Sequence, residues 1–401
     1  MQGRGQVMPD RVGKETQAVR GAERSRVALI RCESYSEADV RAAVGRGLDL
    51  LGGATAFVAP GERLVLKPNL LVARSPDRAV TTHPSVFRAV AELLQEAGAQ
   101  LSYGDSPAVG RTEMTARWAG LSSVADDMEI PLADFSSGRV VSFPDGRLIK
   151  QFTLAAGALD ADGIISLPKM KTHGLTRITA AIKNQFGCIP GLLKGEFHAR
   201  LSNVDVFSRM LVDLNRCLSP RVFVLDGIVA MEGNGPQNGT PRPMNLVLLS
   251  SDPVAIDATV CRLMALDRSL VLPVVYGERD GLGHAEAVDV VGDPIDDFVA
   301  SDFRVNRSSL STTDRTGRAS RLARRLVVPK PVVRSSRCTR CGTCVAVCPV
   351  TPKAVRFPGD DRSQAPVHDY QRCIRCYCCQ EMCPEGAIEI AVPPLGRLLH
   401  R

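Results

Sequence analysis

Between residues 27 and about 312, short apolar runs alternate with amphipathic stretches of helical length. VALIR (27–31) precedes SEADVRAAVGRGLDLL, RLVLKPNLL (63–71) precedes PSVFRAVAELLQEAG, and LSYGDS (101–106) precedes TEMTARWAGL. Further on, GIISLP (163–168) leads into LTRITAAIKNQFG, then RVFVLD (221–226), then NLVLLSS (245–251) before DPVAIDATVCRLMAL. Ser36 with Asp39 offers a capping box to the first helix, and Pro84 suits the opening turn of the second. Strands alternating with helices of this length predict an α/β domain with a mostly parallel sheet covered by helices on both faces. No fixed-period repeat is present. No G-x-G-x-x-G follows a strand and no G-x-x-x-x-G-K-[ST] occurs, so neither an NAD fingerprint nor an NTPase loop is read here.

The pattern changes after residue 332, where cysteines replace aliphatic periodicity. Cys338, Cys341, Cys344 and Cys348, followed by Pro349, read C-x-x-C-x-x-C-x-x-x-C-P, and Cys373, Cys376, Cys379 and Cys383, followed by Pro384, repeat that spacing. In the bacterial ferredoxin pattern the fourth cysteine of each run ligates the other cluster. The spacing therefore predicts two [4Fe–4S] clusters in a small α+β dicluster ferredoxin-like domain. Cluster one takes Cys338, Cys341, Cys344 and Cys383, and cluster two takes Cys373, Cys376, Cys379 and Cys348. Structural zinc needs two separated pairs rather than two triplets with trailing Cys-Pro. Cys378 breaks the spacing and is read as a non-ligand beside the cluster.

Thirteen cysteines in a 401-residue chain include an odd remainder, Cys32, Cys188, Cys217, Cys261 and Cys378. That usage suits a reducing cytoplasm and argues against a disulfide framework. The charged opening, MQGRGQVMPDRVGKETQAVRGAERSR, lacks an apolar segment, and no run is long enough to span a bilayer. The expected organisation is a disordered tail (1–25), the α/β domain (26–312), a basic linker (313–331), the ferredoxin domain (332–392) and a short tail (393–401). The net charge of +7 concentrates in DRTGRASRLARRLVVPKPVVRSSRC, which contains one acid. It lacks the aromatic interleaving that stacks bases, so it is read as a linker with a short helix near Arg318–Leu326, or as a collar that steers an acidic redox partner, and not as a nucleic-acid site. Arg337, Arg340, Lys353, Arg356, Arg372 and Arg375 crowd the cluster motifs, and positive charge there should raise cluster potentials.

In open α/β sheets ligands bind beyond the carboxyl ends of the strands. Polar groups fall there repeatedly: Lys67 and Asn69; Asp105; Lys169, Lys171 and His173; Lys183 and Asn184 on the following helix; Asp226; and Glu232 and Asn234 in EGNGP. Any one lysine is ordinarily a solvated surface residue. Several strand ends supplying lysine beside Asn or His suggest a shared anion site, with Lys169, Lys171, His173 and Lys183 in catalytic roles and His173, one turn from Lys169, as proton donor. Lys67, Asn69, Asp105, Asn184, Asp226, Glu232 and Asn234 are the substrate-binding candidates. EGNGP reads either as a plain turn or as an anion-binding nest, and Asp252 as a helix N-cap. Cys188 reads as a buried free thiol.

The blocks KPNLL, THPS, GDSP, LPKMKTHGLTRITAAIKNQFG, VLDGIVAMEGNGPQNGTP, SSDPVAIDA and CIRCYCCQEMCP, spread over about residues 27 to 390, resemble the iron–sulfur family defined by the domain of unknown function numbered 362. That resemblance implies a redox role and names no substrate. Three functional classes follow. The first is an iron–sulfur oxidoreductase that passes single electrons to an anionic or carbonyl-bearing small molecule, supplied with electrons by a partner protein. The second is an electron-transfer protein docking a separate enzyme, and the third a non-redox enzyme with structural clusters. A flavin stays open, because flavin mononucleotide needs no dinucleotide fingerprint.

Overall fold

The computed structural model describes residues 6–7, 24–308 and 328–393, apart from positions 109, 192, 202 and 360. The expected linker helix near Arg318–Leu326 and the tail after residue 393 lie outside the described residues. Part of the stretch expected to be disordered is structured, since Gln6–Val7 pairs in parallel with Val141–Ser142 and Ser25 already opens a strand.

One nine-stranded sheet organises the larger module. Its strands are β1 (Ser25–Arg31), β2 (Arg63–Pro68), β3 (Gln100–Tyr103), β4 (Gly163–Leu167), β5 (Lys169–His173), β6 (Arg177–Thr179), β7 (Val222–Glu232), β8 (Thr240–Ser250) and β9 (Val288–Gly292). The order across the sheet is β9-β1-β8-β7-β4-β2-β3, with β5 beside β7 and β6 beside β5. All pairings are parallel except those of β8 with β1 and β7 and of β6 with β5. The mostly parallel expectation holds.

Side chains alternate across each strand, and both faces are buried. Leu64, Leu66 and Val224 point to a core built with Val40, Val44, Phe87 and Val90 from helices Glu37–Leu50 and Pro84–Glu96. Val65, Phe223 and Leu225 point the other way, to Phe207, Leu211, Leu214, Ile256 and Val260 from helices Val204–Leu218 and Pro253–Leu263. The caps follow local chemistry. Ser36 accepts from the Asp39 amide, Asp252 from Val254 and Ala255, and the His83 ring from Ser85 one residue before Pro84.

LTRITAAIKNQFG is not the single helix its composition suggests. Arg177 adopts a left-handed backbone (φ 69°) and the β-branched Ile178 and Thr179 join β6. A buried carboxylate, Asp257, then accepts the amides of Ala181 and Ile182, so only a short helix, Ala181–Asn184, and a 3-10 turn follow. The segment KMKTH, expected at the end of a strand, forms a strand of its own.

In the smaller module Lys330–Val333 pairs with Ile388–Ala391, and Val355–Arg356 with Val367–His368. It thus begins two residues before the expected boundary. The two cysteine runs repeat one backbone trace. Arg340 and Arg375 are left-handed (φ 59° and 62°), as are Gly342 and Tyr377 (φ 84° and 62°), and a one-turn helix follows each. Left-handed non-glycine residues cost of order 1–3 kcal/mol unless the surroundings compensate, and they concentrate at functional sites.

The modules meet through EGNGP, which serves neither as a free turn nor as an anion nest. The Gln380 amide donates to Asn234 Oδ1 (2.7 Å), Asn234 O (3.3 Å) and Gly235 O (3.2 Å), while Gln237 and Asn238 donate to Cys383 O at 3.2 and 2.9 Å. Replacing Gln380 by Ala strands these acceptors and should lower unfolding stability by about 1–3 kcal/mol in urea titrations with cluster absorbance unchanged. An unchanged midpoint would mean that this contact does not hold the modules together.

Candidate functional site at the junction of the modules

The charged residues of β5 are placed by strand register. Lys169, Lys171 and His173 alternate along one side of the strand, and Lys169 sits opposite Asp226 of β7. Lys169 Nζ donates to Asp226 Oδ2 (2.6 Å) and to the Tyr35 hydroxyl (2.8 Å), which donates in turn to Asp226 Oδ1 (2.8 Å). The Tyr35 ring stacks on His83 at 3.6 Å. At the end of β2, Lys67 Nζ lies 2.8 Å from Asp105 Oδ1 and donates to Asn184 Oδ1 (3.2 Å). Asn69 Nδ2 reaches the same Asn184 oxygen at 3.2 Å, and its Oδ1 accepts from Lys171 Nζ (2.7 Å), which also donates to Val80 O (2.6 Å). A Cβ at Gly187 would collide with the Asp105 carboxylate and the Lys67 ammonium.

This network alters the anion-site expectation. Lys67, Lys169 and Lys171 are each at most 1 % exposed, and two of them already have carboxylate partners. A buried ammonium without a partner is strongly unfavourable, and Asp105 and Asp226 meet that need from within. Glu232 and Asn234 do not join the group. Glu232 accepts from the Arg304 amide (3.0 Å) and guanidinium (2.8 Å), and Asn234 is engaged by Gln380.

The residues facing the smaller module are different. His173 Nδ1 accepts the amides of Leu175 (3.0 Å) and Thr176 (3.2 Å), so the neutral ring carries its proton on Nε2. That atom lies 3.5 Å from Glu381 Oε2, an acid between Cys379 and Cys383. Strand spacing, and not a helical turn from Lys169, aims it there. Burial, then Lys183, pushes His173 down to about 4, with Glu381 opposing. Burial would raise Glu381, but Lys183, His173 and His198 outweigh it and hold the carboxyl well below the usual range. Lys171 falls well below its ordinary value through burial and then Lys183. Burial also lowers Lys194, to about 7, where its Nζ donates to Ser106 O and Pro107 O. A groove of about 670 Å³ runs between the modules beside this group, lined by Thr172, His173 and Asn234 on one side and Arg337 and Glu389 on the other.

Tyr35, His83, Lys194, His198 and Glu381 escaped the sequence reading. Only Glu381 carried a signal, as an acid inside the second cysteine run. Cys188 is buried, and burial pushes its thiol up to about 12, as expected of an inert residue.

The cysteines gather in two sets. Cys338, Cys341, Cys344 and Cys383 line one cavity, and Cys344 is pushed up to about 11 by burial and then by Cys383, Cys338 and Cys341. Cys379 is raised by burial and then by Cys376, Cys373, Cys344 and Cys348. Among the described residues no three His, Cys, Asp or Glu converge on one point as a single ion requires. Four sulfurs gathered in each set fit a cluster held by thiolates, and Cys344 and Cys379 are the buried thiols such a centre would keep ionised. Cys378, outside both sets, is buried and hydrogen-bonds to Cys376.

Both His173 and His198 (about 4 folded) sit below the ordinary 6.5. The unfolded chain therefore takes up protons first as pH falls. Stability is complete above about 6.5 and drains toward pH 4. His198→Phe, which keeps the stack on Phe207 (4.6 Å), should lose less stability across that window in thermal melts; equal losses would contradict it.

A family model described as a domain of unknown function (DUF362) matches residues 64–262, and one described as a 4Fe-4S dicluster domain matches residues 330–385. A thylakoid-associated protein of Synechocystis sp. is 38% identical over 262 residues, 65% of this chain and 81% of that protein. The lactate racemase apoprotein of Thermoanaerobacterium thermosaccharolyticum is 12% identical with a TM-score of 0.38, over 58% of this chain and 55% of that one. A Thermotoga maritima protein is 12% identical with a TM-score of 0.32, over 56% and 57%. The chain spans little more than half the length of either structure. It belongs to the DUF362 family, with an iron–sulfur dicluster domain of the electron-transfer type joined to its C-terminal side.

Proposed function

We propose that the protein is an iron–sulfur reductase that delivers single electrons to an anionic or carbonyl-bearing small molecule at the junction of its modules. The observation that carries this reading is Glu381: the segment between Cys379 and Cys383 brings its carboxylate to 3.5 Å from His173 Nε2 of the α/β domain, where Lys183 and His198 help to hold it ionised. We assign one cluster to Cys338, Cys341, Cys344 and Cys383 and the other to Cys373, Cys376, Cys379 and Cys348. When bound, each cluster accepts and donates one electron. Lys171 and Lys183 polarise a substrate oxygen, and His173 offers its Nε2 proton without first becoming imidazolium. Lys67 and Lys169, with Asp105 and Asp226, hold the floor of the site rigid. A protein partner supplies electrons. The reducing, cytoplasm-facing side of the cell suits the five cysteines outside the two cluster sets, none of them in a disulfide, and among the described residues no helix is long and apolar enough to cross a membrane.

The test is an anaerobic reduction of protein carrying about eight irons, followed by carbonyl and carboxylate metabolites added singly. One class should re-oxidise the clusters. Lys171→Met, close in volume and free of charge, should slow that step by roughly 100-fold or more with iron retained. Clusters that discharge only into another protein would overturn the reductase reading in favour of a carrier.

A further inference from the structure

The two cysteine runs differ in what reaches their sulfurs from outside. At the first, the Thr343 hydroxyl lies 3.3 Å from Cys341 Sγ and the Ala387 amide donates to Cys383 Sγ (3.2 Å), each from within four residues of the cysteine it meets. At the second, a side chain from a separate strand arrives: His368 Nε2 lies 3.4 Å from Cys379 Sγ. Bound to iron, Cys379 is a thiolate and can only accept, so Nε2 is the atom that carries the proton. The neutral ring suffices for this bond.

The surroundings aim the ring. His368 lies on the short strand Val367–His368, where side chains alternate, so Val367 is exposed and His368 is half-buried. Its ring stacks on Tyr370, with 5.9 Å between centroids and the planes 12° apart. Tyr370 is held in turn. Its hydroxyl donates to Pro331 O (2.8 Å), and its ring centroid lies 4.6 Å from Lys330 Nζ and 5.5 Å from the Arg375 guanidinium. The stack fixes the plane of the imidazole and with it the direction of Nε2. Partners outside a metal's own ligands commonly act in this way, by orienting and tuning the groups that do bind it.

We propose that His368 donates an Nε2–H···Sγ hydrogen bond to Cys379 and thereby raises the potential of the cluster assigned to Cys373, Cys376, Cys379 and Cys348. Reduction adds negative charge that spreads onto the thiolate sulfurs. An N–H dipole aimed at one of them stabilises the reduced form more than the oxidised form, and hydrogen bonds to sulfur are one of the levers on cluster potential. His368 is a positioning residue, since it touches a ligand of the cluster and no substrate. The loop that carries Cys379 also brings Glu381 to within 3.5 Å of His173. On the reductase reading, on which this role rests, His368 keeps the electron at the pocket end of the module.

The experiment is a redox titration of the holoprotein at fixed pH, followed by electron paramagnetic resonance, on the natural chain, His368→Phe and His368→Gln. Phe keeps the stack on Tyr370 and removes the donor, whereas Gln keeps an N–H donor. In His368→Phe the reduction equilibrium of that cluster should weaken about tenfold, a fall of about 59 mV for one electron, with the other midpoint unmoved. His368→Gln should recover most of the loss. An unchanged midpoint in His368→Phe would overturn the proposal, as would a fall shared by both clusters or an equal fall in His368→Gln with iron intact. If His368→Phe does not retain its iron, the natural chain carrying isotopically labelled histidine decides the matter. Pulsed resonance of the reduced state should show a histidine nitrogen coupled to that cluster, and no such coupling would overturn the bond. Neither measurement needs turnover, so the two claims fail separately. Clusters that no metabolite re-oxidises sink the reductase and leave this bond standing; unmoved midpoints in a protein that a metabolite re-oxidises do the reverse.

Discussion

The buried carboxylate of Glu381 is the contact on which the molecule's arrangement turns. It is carried on the helix Cys378–Glu381, between two cysteines placed in different sulfur sets, and it is 7% exposed. Withdrawing a carboxylate from water costs several kcal/mol unless cations and N–H donors replace the lost hydration. His173 Nε2 lies 3.5 Å from the Glu381 carboxylate, and Lys183, His173 and His198 together hold the carboxyl below its usual range; all three belong to the other module. The sulfur sets and the strand-end pocket are therefore held together by a charge that neither module satisfies alone. Neutral hydrogen bonds from Gln380, Gln237 and Asn238 fix the orientation around it.

The same requirement shapes the pocket floor. β5 brings Lys169, Lys171 and His173 to one side of a fully buried strand, and each solves its desolvation differently. Lys169 is matched through register with Asp226, Lys171 through amide and carbonyl oxygens, and His173 by remaining neutral with two backbone amides on Nδ1. Only the second solution leaves a formal charge uncompensated. Unequal treatment of like groups is what favours a functional reading of this strand over a merely structural one.

Much of this was legible in the chain. The eight cysteines were, because cluster ligation is set by spacings of two and three residues and survives any uncertainty about tertiary structure. The mostly parallel sheet was, because apolar runs and helical stretches alternate locally. Lys67, Asn69, Asp105, Lys169, Lys171, Asn184 and Asp226 were legible as a group, since strand ends of an α/β sheet converge by topology. Their pairing was not. Which lysine meets Asp105 and which meets Asp226 depends on register between segments 38 and 57 residues apart, and no local pattern encodes it. Composition misled at LTRITAAIKNQFG, where a left-handed Arg177 and the remote Asp257 cap override helical propensity. EGNGP misled as well, because Gly, Asn and Pro describe a turn equally well whether it meets solvent or another module.

The most direct test of the central claim asks which cluster discharges into the pocket. Fully reduced protein, mixed rapidly with a metabolite that re-oxidises it and frozen at intervals, reports each cluster separately by electron paramagnetic resonance. The account predicts that the cluster of Cys373, Cys376, Cys379 and Cys348 loses its electron first and is then refilled from the other. Prior loss from the cluster of Cys338, Cys341, Cys344 and Cys383 would contradict it.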